Sequence, residues 1–123
     1  MQQVKKIQTF TDLVVWQEGH RLVLSLYDLT KTYPKEETYG IINQMRRASI
    51  SVTSNIAEGF SRSTGKERAL FYKVSLGSLM ELQNQFIVSR DLRYITENEY
   101  RSIYAQTLMV QRLLYGLINR VSG

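Results

Sequence analysis

The sequence predicts an all-α protein, a single antiparallel four-helix bundle running up-down-up-down. Three observations predict it. Apolar residues recur at spacings of three and four through four long segments, no stretch alternates polar and apolar residues with a period of two, and the breaks between segments are short. Long helices joined by short connections pack as antiparallel neighbours. The 123 residues, 43% hydrophobic and 22% charged, suit one domain over 1–123 with one core.

The first helix is expected over 12–32. Leu13, Trp16, His20, Val23, Tyr27 and Thr30 form one stripe, and Val15, Leu22, Leu26 and Leu29 form a second. Pro34, the only proline, opens the connection Tyr33-Pro34-Lys35-Glu36-Glu37. Proline is tolerated in a first helical turn, and the two glutamates suit the positive end of a helix dipole, so a second helix is expected over 37–59. Ile41, Met45, Ala48, Val52 and Ile56 are its apolar stripe. The stretch from Gly59 to Gly65 is the next break. Thr64 and Glu67 then have capping-box spacing and open a third helix over 65–92, with Phe71, Leu79, Leu82 and Phe86 facing inward. Thr96 and Glu99 repeat the signature before a fourth helix over 97–121. Its seam is Val110, Leu114, Leu117 and Val121, with Tyr104, Leu108, Tyr115 and Ile118 beside it.

The first and last helices are apolar over more than one stripe, whereas a bundle helix needs about one core-facing stripe. The surplus points to a homo-oligomer, because large apolar patches usually mark interfaces. A wide core contact is the plainer alternative.

Several classes of chemistry are absent. With no cysteine there is no disulfide or thiolate metal site. Met1 to Phe10 is polar, carries Lys5 and Lys6, and leads into no apolar run, so no secretory signal is expected. No run approaches the roughly 18 apolar residues of a membrane span, and the cytoplasm is the expected location. Ser63-Thr64-Gly65-Lys66 lacks the glycines of a phosphate-binding loop, and Gly77-Ser78 belongs to no nucleophile elbow. Di-iron bundles need Glu-x-x-His pairs on two helices. The single histidine, His20, lies on an apolar stripe and reads as a packed core residue. No cofactor, metal or enzymatic activity is expected.

The most distinctive feature is polar. Gln44, Arg47, Ser51, Asn55 and Glu58 follow one another at three or four residues on the second helix, with Arg62 beyond its end. Val74, Ser78, Glu81 and Gln85 keep the same rhythm on the third, beside Gly77. Ser51, Asn55, Glu58, Ser78 and Glu81 can then form a polar seam, with Glu81 accepting hydrogen bonds from Asn55 or Ser51. Such a seam can set helix register, form an exposed face that binds a partner or anion, or hold an active site. The last has only Glu58 and Glu81 as an acid pair and no histidine near them in sequence.

The formal charge is +5. Arg46 and Arg47 lie on the second helix. Arg62, Lys66, Arg68 and Lys73 surround the second loop against Glu67 alone, and Arg101, Arg112 and Arg120 follow on the fourth with no acid after Glu99. Cations of this kind contact phosphates, and a ring of subunits multiplies any patch. Arg46, Arg47, Arg62, Lys66 and Arg68 are thus the candidate contacts to RNA or DNA, structured RNA being favoured. Phe60 beside Arg62 is the one aromatic–cation pairing in view. A solvated helix surface, or a scaffold that docks a protein partner through its seam or rim, is the competing reading.

The segments Phe10-Thr11-Asp12-Leu13-Val14-Val15-Trp16-Gln17, Tyr33-Pro34-Lys35-Glu36-Glu37-Thr38-Tyr39-Gly40, Gln44-Met45-Arg46-Arg47-Ala48-Ser49-Ile50-Ser51, Asn55-Ile56-Ala57-Glu58-Gly59 and Gly77-Ser78-Leu79-Met80-Glu81-Leu82 together carry a family resemblance. The chain resembles, over nearly its whole length, the four-helix-bundle proteins encoded by intervening sequences within bacterial 23S ribosomal RNA genes. It departs at Tyr33, where the family pattern more often has Phe. The resemblance implies a ring-like homopentamer with no established enzymatic activity. It also implies likeness in fold to accessory proteins of diversity-generating retroelements, which associate with a reverse transcriptase and nucleic acid. The family's motif positions fall on Arg46, Arg47, Ser51, Asn55, Glu58, Gly59, Arg62, Ser78 and Glu81. The chromosomal setting of such genes says little about what their products do.

Overall fold

The computed structural model describes residues 6–122. Lys5 lies outside the described residues. Four α-helices follow in order: α1 (Val14–Thr30), α2 (Ile41–Phe60), α3 (Gly65–Asp91) and α4 (Glu97–Ser122). Each packs on its neighbours in the cycle α1–α2–α3–α4–α1, and the backbones of the diagonal pairs stay apart across the shared core. This is the antiparallel bundle that short loops between long helices dictate. The described residues contain no β-strand. No helix among them is long and apolar enough to cross a membrane.

Local chemistry sets the ends. Asp12 accepts hydrogen bonds from the backbone N–H groups of Gln8 and Thr9 at 2.9 and 3.0 Å, holding a single 3₁₀ turn over Phe10–Asp12. Extended Leu13 separates that turn from α1. The stretch after Pro34 forms a second 3₁₀ turn, Lys35–Glu37, so α2 begins at Ile41 and not at residue 37. Tyr94 Oη reaches back to Glu37 Oε2 at 2.7 Å and ties that turn to the α3–α4 connection. The two capping residues act as their spacing predicts. Thr64 Oγ1 accepts from Glu67 N at 3.1 Å, and Thr96 and Glu99 form the full reciprocal box at 2.8 and 3.1 Å. α3 ends with Arg93 at φ 61°, while Tyr94 N donates to Ser89 O and Arg93 N to Arg90 O. This is a Schellman closure with arginine where glycine is usual.

Leu22 and Leu26 of α1, Met45, Val52 and Ile56 of α2, Tyr72, Leu79, Leu82 and Phe86 of α3, and Val110 and Leu114 of α4 are fully enclosed. Each such side chain contributes about 1.5–3 kcal/mol of burial free energy. On α1 the Val15–Leu22–Leu26 stripe faces the core. The other stripe wraps the flank, and His20 is exposed, stacked on Trp16 with ring centroids 4.8 Å apart. Its expected place in the core is therefore corrected: one turn after Trp16, it lies beyond the apolar arc. On α4, Leu108 and Tyr115 stand on the exposed side.

Two glycines permit close helix approach. A Cβ at Gly59 would lie 2.6 Å from the Tyr72 ring, and one at Gly65 would meet the Val121 carbonyl oxygen. The start of α3 thus abuts the end of α4, which places the α2–α3 loop, the α4 terminus and the α1 start at one end of the bundle.

Candidate functional site

The polar seam runs along the outer groove where α2 meets α3. The seam residues flank the apolar stripes, so packing the stripes together brings the flanks together at the rim. Ser51 Oγ and Ser78 Oγ are 2.8 Å apart. Asn55 Nδ2 donates to the Ser51 carbonyl oxygen at 2.8 Å and to Ser51 Oγ at 3.1 Å. One layer deeper, Ser75 Oγ donates to the Val52 carbonyl oxygen at 2.7 Å. Ser51, Asn55 and Ser78 are half-buried.

The antiparallel register carries Glu81 from Ser78 toward the start of α2, away from Asn55. The expected bonds from Asn55 or Ser51 to Glu81 therefore do not form, and Gln85 Nε2 donates to Glu81 Oε1 instead, at 3.2 Å. Glu58 lies the other way along α2, exposed and paired with Arg62 Nη2 at 2.9 Å. At 1.5 Å rise per residue, Glu58 and Glu81 are roughly 15 Å apart along the bundle axis. The structure does not bring them together as an acid pair. Among the described residues, no group of three or more histidines and carboxylates is placed to hold a metal ion.

Asn43, Gln44, Arg47, Ala48, Ser51, Ser78 and Glu81 line an open groove of about 380 Å³ between α2 and α3. Arg47 and Glu81 share it without an ion pair. A second hollow, about 420 Å³, adjoins on the other side of Arg47 and is lined by Tyr27, Arg46 and Ile50 among others.

The five candidate cations do not form one patch. Arg47 and Arg62 are separated by about 22 Å along α2. Arg46 is spent within the fold: its Nε donates to Thr30 Oγ1 at 3.0 Å, its Nη2 to the Tyr27 carbonyl oxygen at 3.2 Å, and its guanidinium covers the Tyr27 ring at 4.5 Å. Arg47, one residue on, is exposed. At the far end, Arg62 covers Phe71 at 4.5 Å, and Arg68 Nε donates to the Arg62 carbonyl oxygen at 2.9 Å. Arg68 in turn faces Phe60 at 5.9 Å. The expected Phe60–Arg62 pairing is thus exchanged for two others, because the loop folds back and sets α3 side chains against those of α2. Burial raises the Tyr72 phenol pKa, an effect that nearby Arg68 partly offsets. Lys66 is exposed and has no ion pair among the described residues.

Charged residues crowd both ends of the bundle. Arg62, Lys66, Arg68 and Arg120 gather at the α2–α3 loop end, with Asp12, Glu58 and Glu67 as nearby acids. At the other end Asp28, Glu36, Glu37, Asp91, Glu97 and Glu99 are interspersed with Lys31, Lys35, Arg90, Arg93 and Arg101, and Lys31, Arg90 and Arg101 are ion-paired. There, Ser25, Asp28, Thr32, Asn98, Glu99, Ser102 and Gln106 help line a groove of about 460 Å³ between α1 and α4. Sequence reasoning misses this groove. Its signal is the spacing of Asn98, Ser102 and Gln106 beside the α4 seam, matched by Ser25, Asp28 and Thr32 on α1. Gln83 also escapes notice: buried, its Nε2 donates to Gln111 Oε1 at 2.8 Å and to Thr107 Oγ1 at 3.3 Å, a polar tie between α3 and α4.

Comparison with known proteins adds two findings. The family described as 23S rRNA-intervening sequence protein matches residues 11–116. A crystal structure of a protein with unknown function from the S23 ribosomal protein family, from Bacteroides thetaiotaomicron, superposes with a TM-score of 0.79 at 20% identity, covering 85% of this chain and 98% of that one. No curated protein is significantly similar.

Proposed function

Since the chain belongs to the 23S rRNA-intervening sequence protein family, we propose that it is a non-enzymatic bundle that assembles with copies of itself and binds nucleic acid, RNA ahead of DNA. The observation that carries this reading is the cluster of Arg62, Lys66, Arg68 and Arg120 at the α2–α3 loop end, where Lys66 is exposed and has no ion pair among the described residues. A cluster of this kind contacts phosphates and reads little sequence. Symmetric assembly repeats the cluster and multiplies its field. Self-association is supported by the exposed apolar residues Leu24, Leu70, Leu108, Met109 and Tyr115.

The test is binding of the purified protein to RNA and DNA fragments at about 50 and 200 mM salt, with the assembled mass measured alongside. Binding by an oligomer that weakens log-linearly with salt is the expected result. Lys66→Glu with Arg120→Glu then abolishes it while the fold persists. No binding at low salt overturns the reading.

A second reading, docking of a protein partner, is favoured by one observation. Leu70, Val74 and Val88 lie on the outward face of α3, exposed by 59%, 53% and 38%. Docking on that face is insensitive to salt.

A further inference from the structure

We infer that the groove between α2 and α3 is a pocket for one unpaired guanine nucleotide, with Glu81 reading the base and Arg47 holding its phosphate. This rests on the nucleic-acid reading above and adds a base preference to it, at a place distinct from the basic end.

The argument starts from what the groove leaves unused. Arg47 on α2 and Glu81 on α3 line it together, yet form no ion pair with each other or with any other described residue. Glu81 is the only acid between Glu67 and Asp91 on α3. Its one hydrogen-bond donor is Gln85 Nε2. Gln85 itself is 6% exposed, and its Oε1 is buried with no donor among the described residues. A buried amide with half its hydrogen bonding unmet is costly to keep. Here it steers a carboxylate toward an open groove. The site therefore offers acceptors on the α3 side and a free cation on the α2 side. Ser51 and Ser78, bonded to each other, form the floor between them. The volume, about 380 Å³, lies within the ordinary range for small-ligand sites.

The occupant must bring paired donors to Glu81 and an anion to Arg47. An arginine or lysine of a protein partner satisfies Glu81 but sets a second cation beside Arg47. Guanine avoids that conflict. Its N1–H and N2–H₂ groups are neighbouring neutral donors that match the two oxygens of one carboxylate, and its nucleotide carries the phosphate. Adenine, cytosine and uracil each present a single donor-bearing position on that edge. Unpaired bases are read on this edge in RNA recognition. Arg47 supplies the charge-assisted contact to phosphate. Gln85 is a positioning residue that aims the carboxylate.

The experiment compares oligoadenylate RNA with the same strand carrying one central guanine, by fluorescence anisotropy at fixed salt. Guanosine and adenosine monophosphates are titrated calorimetrically in parallel. The guanine strand is expected to bind roughly tenfold tighter, the size of one good bidentate discrimination. Glu81→Gln, a substitution at an exposed position, erases that preference, so that the variant binds the two strands equally. Arg47→Ala weakens both strands alike and lowers the salt slope by about one. Equal binding of the two strands, or a preference that survives Glu81→Gln, overturns the inference while leaving the phosphate-binding reading intact. Absence of RNA binding together with guanosine monophosphate binding that depends on Glu81 overturns the latter reading and assigns the groove to a free nucleotide. Absence of both overturns both.

Discussion

Ser51 Oγ and Ser78 Oγ meet 2.8 Å apart across the α2–α3 interface, at the layer where Asn55 also bonds to Ser51. The contact pins the register of the two helices that share the most extensive interface of the bundle. A hydrogen bond of this kind contributes about 0.5–1.5 kcal/mol net. Ser51→Ala and Ser78→Ala are each expected to lower stability by roughly that amount. A double-mutant cycle by urea denaturation should return a coupling of at least about 0.5 kcal/mol. Additive losses would show that the pair contributes no coupling.

Gly59 and Gly77 are expected to respond to alanine with opposite signs. A methyl at Gly59 runs into the Tyr72 ring at 2.6 Å, whereas one at Gly77 meets no atom within 4 Å. Overpacking at the first costs about 1–3 kcal/mol. At the second, alanine restricts the unfolded chain and favours the helix, adding about 0.5–1 kcal/mol. Thermal denaturation of the two variants checks both signs.

Neighbouring arginines are expected to part company. Arg46→Ala removes two hydrogen bonds to α1 and the cover over Tyr27, for a loss of about 1–3 kcal/mol. Arg47→Ala removes no hydrogen bond or ion pair among the described residues and should leave stability within about 0.5 kcal/mol of the parent. Paired urea titrations decide this. An Arg46 variant as stable as the parent would show that the tie to Thr30 and Tyr27 is dispensable.

Tyr33 and Tyr72 predict an alkaline limit. Burial raises both phenol pKa values above the ordinary 10.0. A raised value means that the folded protein favours the neutral phenol. The associated stability is fully present below about pH 10 and is lost as pH climbs through the folded-state values. Melting temperatures measured from about pH 8 to about pH 11.5 should fall at the upper end, and Tyr72→Phe should flatten that fall. Tyr33 Oη is buried with no hydrogen-bond partner of good geometry among the described residues, and the Ser89 hydroxyl near it offsets only part of the effect of burial. Tyr33→Phe is expected to be neutral or stabilising at pH 7 because it removes an unsatisfied hydroxyl.

Sequence alone determined the four helices, their antiparallel order and most of the core. These follow from local rules: the spacing of Met45, Val52 and Ile56, the caps at Thr64 and Thr96, and short loops that force neighbours to run in opposite directions. It also placed Ser51, Asn55 and Ser78 on facing flanks, because flank positions obey the same period as the core. Tertiary structure decided what periodicity cannot carry: the axial offset between helices, and which partner each long side chain takes. A shift of about two turns between α2 and α3 moves Glu81 from Asn55 to the far side of Ser51 and opens a groove shared with Arg47. Arg46 and Arg47 are adjacent in sequence but about 100° apart around the helix. That rotation consumes one against Tyr27 and Thr30 and leaves the other facing solvent. The gathering of Arg62, Lys66, Arg68 and Arg120 at one end likewise appears only when the loops bring residues such as Lys66 and Arg120 together, since their distance in space is set by how the helices stack and not by their separation along the chain.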